Sequence, residues 1–209
     1  MKQLTWRGVA TGGWRRDPGP APDPRVAAEL AVIGEVRRAA PPEPGSVRPV
    51  IRPITAHDGP ALEEMALRCS ADTLRRRFHG PAPRGGPSRI AGLLAARDAE
   101  EHLVAEVDGA IVRIGTLHRS PRPATEGEIA MLVEDAWQGT GLGHRLTGHL
   151  LRRARERGME VVVAEVLREP AYVLDRLSHA AERTTVEYDG PVATVRIPVR
   201  AGGAATAAT

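Results

Sequence analysis

The chain has 209 residues, a formal net charge of +3, and 42% hydrophobic but only 3% aromatic residues. This length accommodates one domain with tails, and its core must be built from aliphatic side chains. The arginines are scattered, which disfavours nucleic acid as a partner. A single cysteine excludes an internal disulfide and a multi-cysteine zinc site. No apolar run reaches membrane-spanning length and no signal-peptide core is present, so we expect a cytoplasmic protein without a membrane partner.

The two ends of the chain differ in composition from its middle. Residues 1–46 are rich in Pro, Gly and Arg and predict an arm, in which the apolar spacing of residues 26–39 indicates one short helix. Residues 47–200 are expected to form the domain, and residues 201–209 a flexible tail.

The first part of the domain is predicted to be mostly helical. An extended segment begins at Val47, and Asp58 is the expected N-cap of a helix that reaches Leu67. Further helices are predicted at residues 70–78 and 89–97, with a loop at 79–88 between them. Cys69 sits in the first of these predicted helices and is expected to be a packed thiol.

After residue 101, apolar residues recur at every second position, which is the pattern of β-strands. Strands at residues 102–107 and 110–117 flank Asp108 and Gly109, a pair typical of tight hairpins, and a third strand is expected at 127–134. After a glycine-rich turn, one helix is predicted to end at Gly158. Its inner face repeats every four residues, at Leu142, Leu146, Leu150 and Ala154.

The last elements follow from β-branched runs. Residues 161–167 predict a strand parallel to the one before the helix, because a strand-helix-strand crossover returns in that direction. A helix at 171–182 and a final hairpin of strands 186–188 and 192–199 complete the domain.

The glycine-rich turn is the strongest functional signal. Its amide groups can converge on an anion at the positive end of the following helix. A Walker A loop is excluded because no lysine follows the turn, and a dinucleotide fingerprint is excluded because Leu146 stands where a glycine is needed. Taken alone, the turn is about as compatible with a purely structural role as with a ligand site. Its residues are Gln138, Gly139, Thr140, Gly141, Leu142 and Gly143.

The order of elements around this Gln-x-x-Gly-x-Gly motif resembles the GNAT N-acetyltransferase superfamily. Residues 51–80 are similar to the opening of the branch related to bacterial protein-lysine acetyltransferases, with an Arg-Pro-Ile strand, a Ser-x-x-Thr-Leu turn and a terminal Arg-Phe. The resemblance implies an α/β (α+β) fold, in which helices flank a mixed, mostly antiparallel central sheet with a parallel strand pair around the coenzyme A loop. It also implies acetyl-CoA as co-substrate, an amine acceptor and no metal.

The resemblance assigns binding roles residue by residue. The loop amides of the family bind the pyrophosphate of coenzyme A. The positions that match or adjoin that loop here are Gln138, Gly139, Thr140, Gly141, Leu142, Gly143 and His144. The backbone of Met131, Leu132 and Val133 is implied to pair with the pantetheine arm and to polarise the thioester, although their side chains alone would predict core positions.

Acyl transfer to an amine requires a group that removes a proton, and Glu128 is the candidate. Even-numbered residues of its strand share one face, so Glu128 lies beside Ala130 and Leu132, where burial favours a proton-accepting role. The resemblance implies a glutamate base in a similar Ala-Glu-hydrophobic-Ala setting. The alternative is a solvated strand-end carboxylate, and Glu126 and Glu134 are rivals for the role.

Two departures from the family keep a second hypothesis open. Many members carry an asparagine and a general-acid tyrosine where this chain has Pro170 and Leu177, and Tyr172 stands five positions too early. The main hypothesis is an N-acetyltransferase that moves acetyl from acetyl-CoA to a protein lysine or a small-molecule amine by direct attack. The alternative is a non-catalytic acyl-CoA-binding module, and a homodimer is left open.

Overall fold

The computed structural model describes residues 7–8, 14–15, 49–95, 99–169 and 171–199. Within these residues, seven strands form one sheet, and a separate two-residue antiparallel ladder joins Arg7–Gly8 to Trp14–Arg15. The helix predicted within residues 26–39 and the tail at 201–209 lie outside the described residues.

The main sheet is mixed and mostly antiparallel. Its strands are β1 (Val50–Pro53), β2 (Glu101–Val107), β3 (Ala110–Arg119), β4 (Glu126–Val133), β5 (Val161–Leu167), β6 (Thr185–Asp189) and β7 (Val192–Pro198). Their order across the sheet is β1-β2-β3-β4-β5-β7-β6. Only β4 and β5 run parallel, because a helix carries the chain back between them. The predicted fold class, including the single parallel pair, is confirmed.

Among the described residues, five helices flank the sheet. They are α1 (Gly59–Arg68), α2 (Ala71–Phe78), α3 (Gly86–Leu94), α4 (Leu142–Glu156) and α5 (Ala171–Ser178), with a 3-10 turn at Asp135–Trp137 before α4. None of these described helices is long and apolar enough to cross a bilayer.

Two helices differ in extent from the prediction. α3 spans Gly86–Leu94 instead of residues 89–97, and it begins early because Pro87 occupies its first turn, where a missing N–H is tolerated. α5 ends at Ser178 instead of residue 182, and the Ser178 hydroxyl donates to the carbonyl of Asp175, 2.7 Å away, in place of a continued backbone ladder.

A hydrophobic core lies on each face of the sheet. Both cores are mostly aliphatic, as the low aromatic content predicted. On one face, α1, α2 and α3 bury Leu62, Met65, Leu74, Ile90 and Leu94 against Val104, Ile114 and Leu132. On the other face, α4 and α5 bury Leu146, Leu150, Ala154 and Leu177 against Leu117, Ile129 and Val162. The inner face predicted for α4 is therefore confirmed at three positions, and the Leu142 side chain lies outside the described part of the structure.

Close contact between α4 and β3 depends on a glycine. A Cβ on Gly115 would lie 2.8 Å from Leu150 and 3.1 Å from Leu146, so any larger residue would force these two leucine side chains to move. Two residues before Gly115 on the same strand, the Arg113 side chain lies against Gly143 in the first turn of α4.

Gly148 on the outer side of α4 offers a stability test. A Cβ at this exposed position would meet nothing within 4 Å, so alanine adds no clash. Because glycine is the poorer helix former, we expect Gly148→Ala to raise the free energy of unfolding by about 1 kcal/mol. Urea unfolding measures the change, and an unchanged or lowered midpoint would contradict the solvent-facing placement.

Asp58 occupies the predicted N-cap position of α1 but does not cap the helix. Its carboxylate instead accepts two hydrogen bonds from the Arg52 guanidinium, each 2.8 Å, and one from the Thr55 amide at 2.6 Å. The hydrogen bonds from Arg52, and to a smaller extent the one from the Thr55 amide, hold the pKa of Asp58 well below its ordinary value. The predicted capping role was therefore wrong, because a charged partner on β1 competes for the carboxylate.

We expect Asp58→Asn to lower the free energy of unfolding by about 2 kcal/mol at pH 7, because it removes charge-assisted bonds to Arg52. A carboxyl with a lowered folded-state pKa contributes stability above its unfolded pKa, near 4, and loses it as the pH falls further. Denaturant unfolding should therefore show that the difference in free energy of unfolding between the wild type and Asp58→Asn narrows from pH 4 towards pH 2. A difference that does not change with pH would mean that the carboxylate charge is not its cause.

Candidate functional site

The parallel strands β4 and β5 are paired only where they begin. Residues 126–128 pair with residues 161–163, but β4 continues to Val133 and β5 to Leu167 with no further pairing between them. On their outer edges, both strands remain paired with β3 and β7. The facing inner edges therefore present backbone donors and acceptors to an extended ligand in the split.

The predicted backbone-binding residues lie along this split. Met131, Leu132 and Val133 pair with β3 on one side, and alternate backbone groups of the same stretch point towards β5. The Leu132 side chain is 2% exposed, in agreement with a core position. All three lie on the part of β4 that faces the split, Met131 and Val133 are only half-buried, and their contact with a pantetheine arm remains a prediction.

The glycine turn joins the split to α4. Gly139 and Gly141 adopt left-handed backbone conformations with φ of 78° and 82°, which favour glycine. Gly141 is the N-cap of α4, and no side chain caps the helix there. The amides of Leu142 and Gly143 therefore have no intrahelical partner and lie at the positive end of the helix, whereas the His144 amide donates to the Gly141 carbonyl at 3.1 Å. Thr140 and His144 are exposed beside them, so the geometry of an anion site is present.

The Gln138 side chain braces this turn. Its Nε2 donates to the Thr73 hydroxyl at 2.9 Å and to the Val133 carbonyl at 3.2 Å. Its Oε1 accepts from the Tyr172 hydroxyl at 3.3 Å, and Thr73 in turn donates to Asp135 at 3.0 Å. Gln138 thus ties the turn to α2, to β4 and to α5, and only its backbone remains a candidate ligand contact.

A buried arginine beneath the turn was missed by sequence reasoning. A β-bulge in β3 sets Ala105 opposite Arg113 and Glu106 opposite Ile111, so Val112 is an extra residue. Arg113 is 2% exposed, and its Nη1 lies 2.9 Å from where a Cβ on Gly143 would stand. The only sequence signal was an arginine inside an apolar strand, and apolar alternation does not reveal a bulge.

The donors of Arg113 are mostly unsatisfied. Nη2 contacts the Met131 sulfur at 2.9 Å, whereas Nε and Nη1 are buried without a partner among the described residues. Gly143 leaves room for this guanidinium, because a Cβ there would force Nη1 to move, and its backbone is not left-handed. Unpaired amides above and an unpaired guanidinium below fit a bound diphosphate.

Glu128 lies where β4 and β5 separate, because its pairing with Val163 is the last of the parallel ladder. On its other side it is opposite His118 of β3. The residue is half-buried and shares a sheet face with Leu132, as the alternation predicted. A carboxylate at the closed end of the split is suitably placed to accept a proton, and this role remains a prediction.

Glu126 and Glu134, the other two candidates for the base, each contact an arginine. Glu126 forms an ion pair with Arg196 of β7. Glu134 is 2% exposed and accepts from Arg68 Nε at 2.9 Å, and burial raises its pKa in spite of that partner. A substrate amine cannot reach a carboxylate buried to this degree, so Glu128 is the best-placed candidate.

Other residues considered from the sequence have structural roles or no described one. Leu177 has no acidic group and is buried in the α4 and α5 core, and Pro170 lies outside the described residues. Cys69 is fully buried and burial raises the pKa of its thiol, which confirms the packed thiol. Among the described residues, no group of three or more His, Cys, Asp or Glu side chains could hold a metal ion.

A helix-flanked sheet with a split parallel pair and an uncapped glycine turn defines an α/β domain with a cleft suited to an extended anionic ligand. Residues 70–172, about half of the chain, match the acetyltransferase (GNAT) family. The chain therefore contains a GNAT-family acetyltransferase domain, as the motif predicted.

Solved structures agree with this assignment. The GNAT domain of S. lividans PAT is 25% identical, with a TM-score of 0.62 over 73% of this chain and 96% of that one. The yncA protein of Salmonella typhimurium, solved with its cofactor acetyl-CoA, is 21% identical, with a TM-score of 0.56 over 77% and 99%. The ribosomal-protein-alanine N-acetyltransferase of Brucella melitensis is 19% identical, with a TM-score of 0.55 over 71% and 99%. Comparison with curated proteins gives no match.

Proposed function

We propose that this domain transfers the acetyl group of acetyl-CoA to a primary amine, by direct attack within a ternary complex. The observation that carries the proposal is the continuity of the uncapped glycine turn with the β4–β5 split, which closes at Glu128. Membership in an acetyltransferase family supports acyl transfer as the chemistry.

The described residues would hold acetyl-CoA in two parts. The amides of the turn and the start of α4 would bind its diphosphate, with the helix dipole favouring the negative charge. The backbone of Met131, Leu132 and Val133 would pair with the pantetheine arm in the split. A backbone N–H in this stretch would also stabilise negative charge on the thioester oxygen during attack.

Acetyl-CoA supplies an activated acyl group, whose C–S bond breaks as the amine nitrogen forms a C–N bond with the carbonyl carbon. Glu128 accepts the proton that the nitrogen loses, directly or through one water. The departing thiolate needs no strong acid, because thiols are far more acidic than amines or alcohols. The absence of an acid at Leu177 is therefore compatible with turnover.

The proposed acceptor is a protein lysine, because residues 51–80 resemble the lysine acetyltransferase branch, and a small-molecule amine is the alternative. A non-catalytic acyl-CoA-binding module is the second candidate function. The observation that favours it is Leu177, an aliphatic core side chain that leaves that position without a proton donor.

The test combines transfer and binding. Purified protein is incubated with labelled acetyl-CoA and a panel of amines that includes a lysine-rich protein, and thermal unfolding is recorded with and without coenzyme A. Transfer supports the enzyme. A rise in Tm without transfer to any amine supports the module, and no rise in Tm together with no transfer overturns both.

A further inference from the structure

We propose that Arg113 supplies a buried positive charge to the diphosphate site at the start of α4 and thereby strengthens coenzyme A binding. The inference rests on the proposed function, because it takes coenzyme A as the ligand. It adds a residue from β3 to a site otherwise built from the backbone of the turn.

The first support is placement. The bulge at Val112 re-aims β3, so that the Arg113 side chain crosses Met131 on β4 and ends beneath Gly143 in the first turn of α4. Glycine at position 143 is what allows Nη1 to lie against the turn, since a Cβ there would be only 2.9 Å away. The guanidinium and the amides at the start of α4 therefore occupy opposite sides of one helical turn.

The second support is electrostatic. A buried guanidinium with two unpaired nitrogens is costly, and it stands beside the positive end of a helix, which raises the cost further. Burial alone lowers the pKa of Arg113 to about 9, and no carboxylate of the described residues offsets this. A bound diphosphate would supply the missing negative charge.

Arg68 is an arginine of the same domain with a purely structural role, and it serves as a comparison for Arg113. Its Nε contacts Glu134 at 2.9 Å and its Nη2 donates to the Ile111 carbonyl at 2.8 Å, so its charge is satisfied inside the fold. Arg113 has no equivalent partners, although a methionine of similar length would fill the site beside Met131 without any unpaired donor. The unliganded fold therefore carries a cost that ligand binding offsets.

The test compares Arg113→Met with Arg119→Met, a control on the same strand whose guanidinium is satisfied by Glu100 and by the Ala124 and Arg157 carbonyls. We expect Arg113→Met to raise the Tm of the free protein by about 2–4 °C. The same variant should weaken coenzyme A binding by about 10-fold or more. Arg119→Met should lower Tm and leave the Kd for coenzyme A nearly unchanged.

Three probes locate the charge. Coenzyme A and inorganic pyrophosphate should lose affinity in Arg113→Met, pantetheine should not, and Arg113→Lys should recover part of the loss. An unchanged Kd for coenzyme A overturns the inference, as does an equal loss for pantetheine, which would indicate a general structural role. If Arg113→Met fails to fold, Arg113→Lys decides alone: weaker pyrophosphate binding with unchanged pantetheine binding supports the inference. If the wild type itself does not bind coenzyme A, the proposed function fails instead.

Discussion

Replacement of Glu128 by glutamine is expected to lower the rate of acetyl transfer by about 10²–10⁴-fold and to leave the affinity for coenzyme A nearly unchanged. Glutamine has the same size and suits the same half-buried strand position, but it cannot accept a proton. The residue lies at the closed end of the split, separate from the turn that would hold the diphosphate. Binding and proton transfer are therefore separable in this variant.

The matched control is Glu187→Gln, which makes the same chemical change at an exposed position on the edge strand β6 and should leave the rate unchanged. Initial rates with labelled acetyl-CoA should also show that Glu128→Gln recovers activity as the pH rises, because more of the amine is then already neutral. A variant that transfers acetyl at the wild-type rate would remove Glu128 from the mechanism.

The sheet was predictable because its signals are local. Asp108 and Gly109 adopt the left-handed conformations that a tight hairpin requires, and the strands on either side alternate as expected. The crossover from β4 through α4 to β5 then fixes the parallel pair. Each of these predictions depends on residues that are close together in the sequence, and for that reason the structure confirms them.

Contacts between distant segments could not be predicted. The carboxylate of Asp58 is held by Arg52 of β1 and not by its own helix, because a bidentate ion pair competes with capping. The Gln138 side chain is held by Thr73, 65 residues away in sequence. Neither partner is indicated by any local pattern.

The candidate site was predicted in outline only. The motif located the turn, and alternation placed Glu128 on the face of β4 that also carries Leu132. Gly143 was expected to serve as a turn glycine like Gly139 and Gly141, but its backbone is helical, and close contact with Arg113 is what requires it. One inserted residue in β3 determines that contact, and an insertion of this kind leaves no trace in hydrophobic periodicity.

Thr140→Asp is expected to weaken coenzyme A binding by about 10–100-fold at low salt without loss of folding. Thr140 is exposed in the turn, so a carboxylate there would repel the diphosphate across a few ångströms. The same carboxylate lies near the positive end of α4, where a negative charge is mildly stabilising. Tm of the free protein should therefore hold or rise while the affinity falls, and titration calorimetry with thermal unfolding measures both quantities.

Two neutral substitutions separate charge from shape. Thr140→Asn matches the size of aspartate, and Thr140→Val removes the hydroxyl that donates to the Trp137 carbonyl at 2.8 Å. Both should bind coenzyme A nearly as well as the wild type. The deficit of the aspartate variant should shrink in high salt and disappear for pantetheine, because screening and removal of the diphosphate each abolish the repulsion. A deficit that persists with pantetheine would mean that the turn holds some other part of the ligand, and the diphosphate would then have to bind elsewhere.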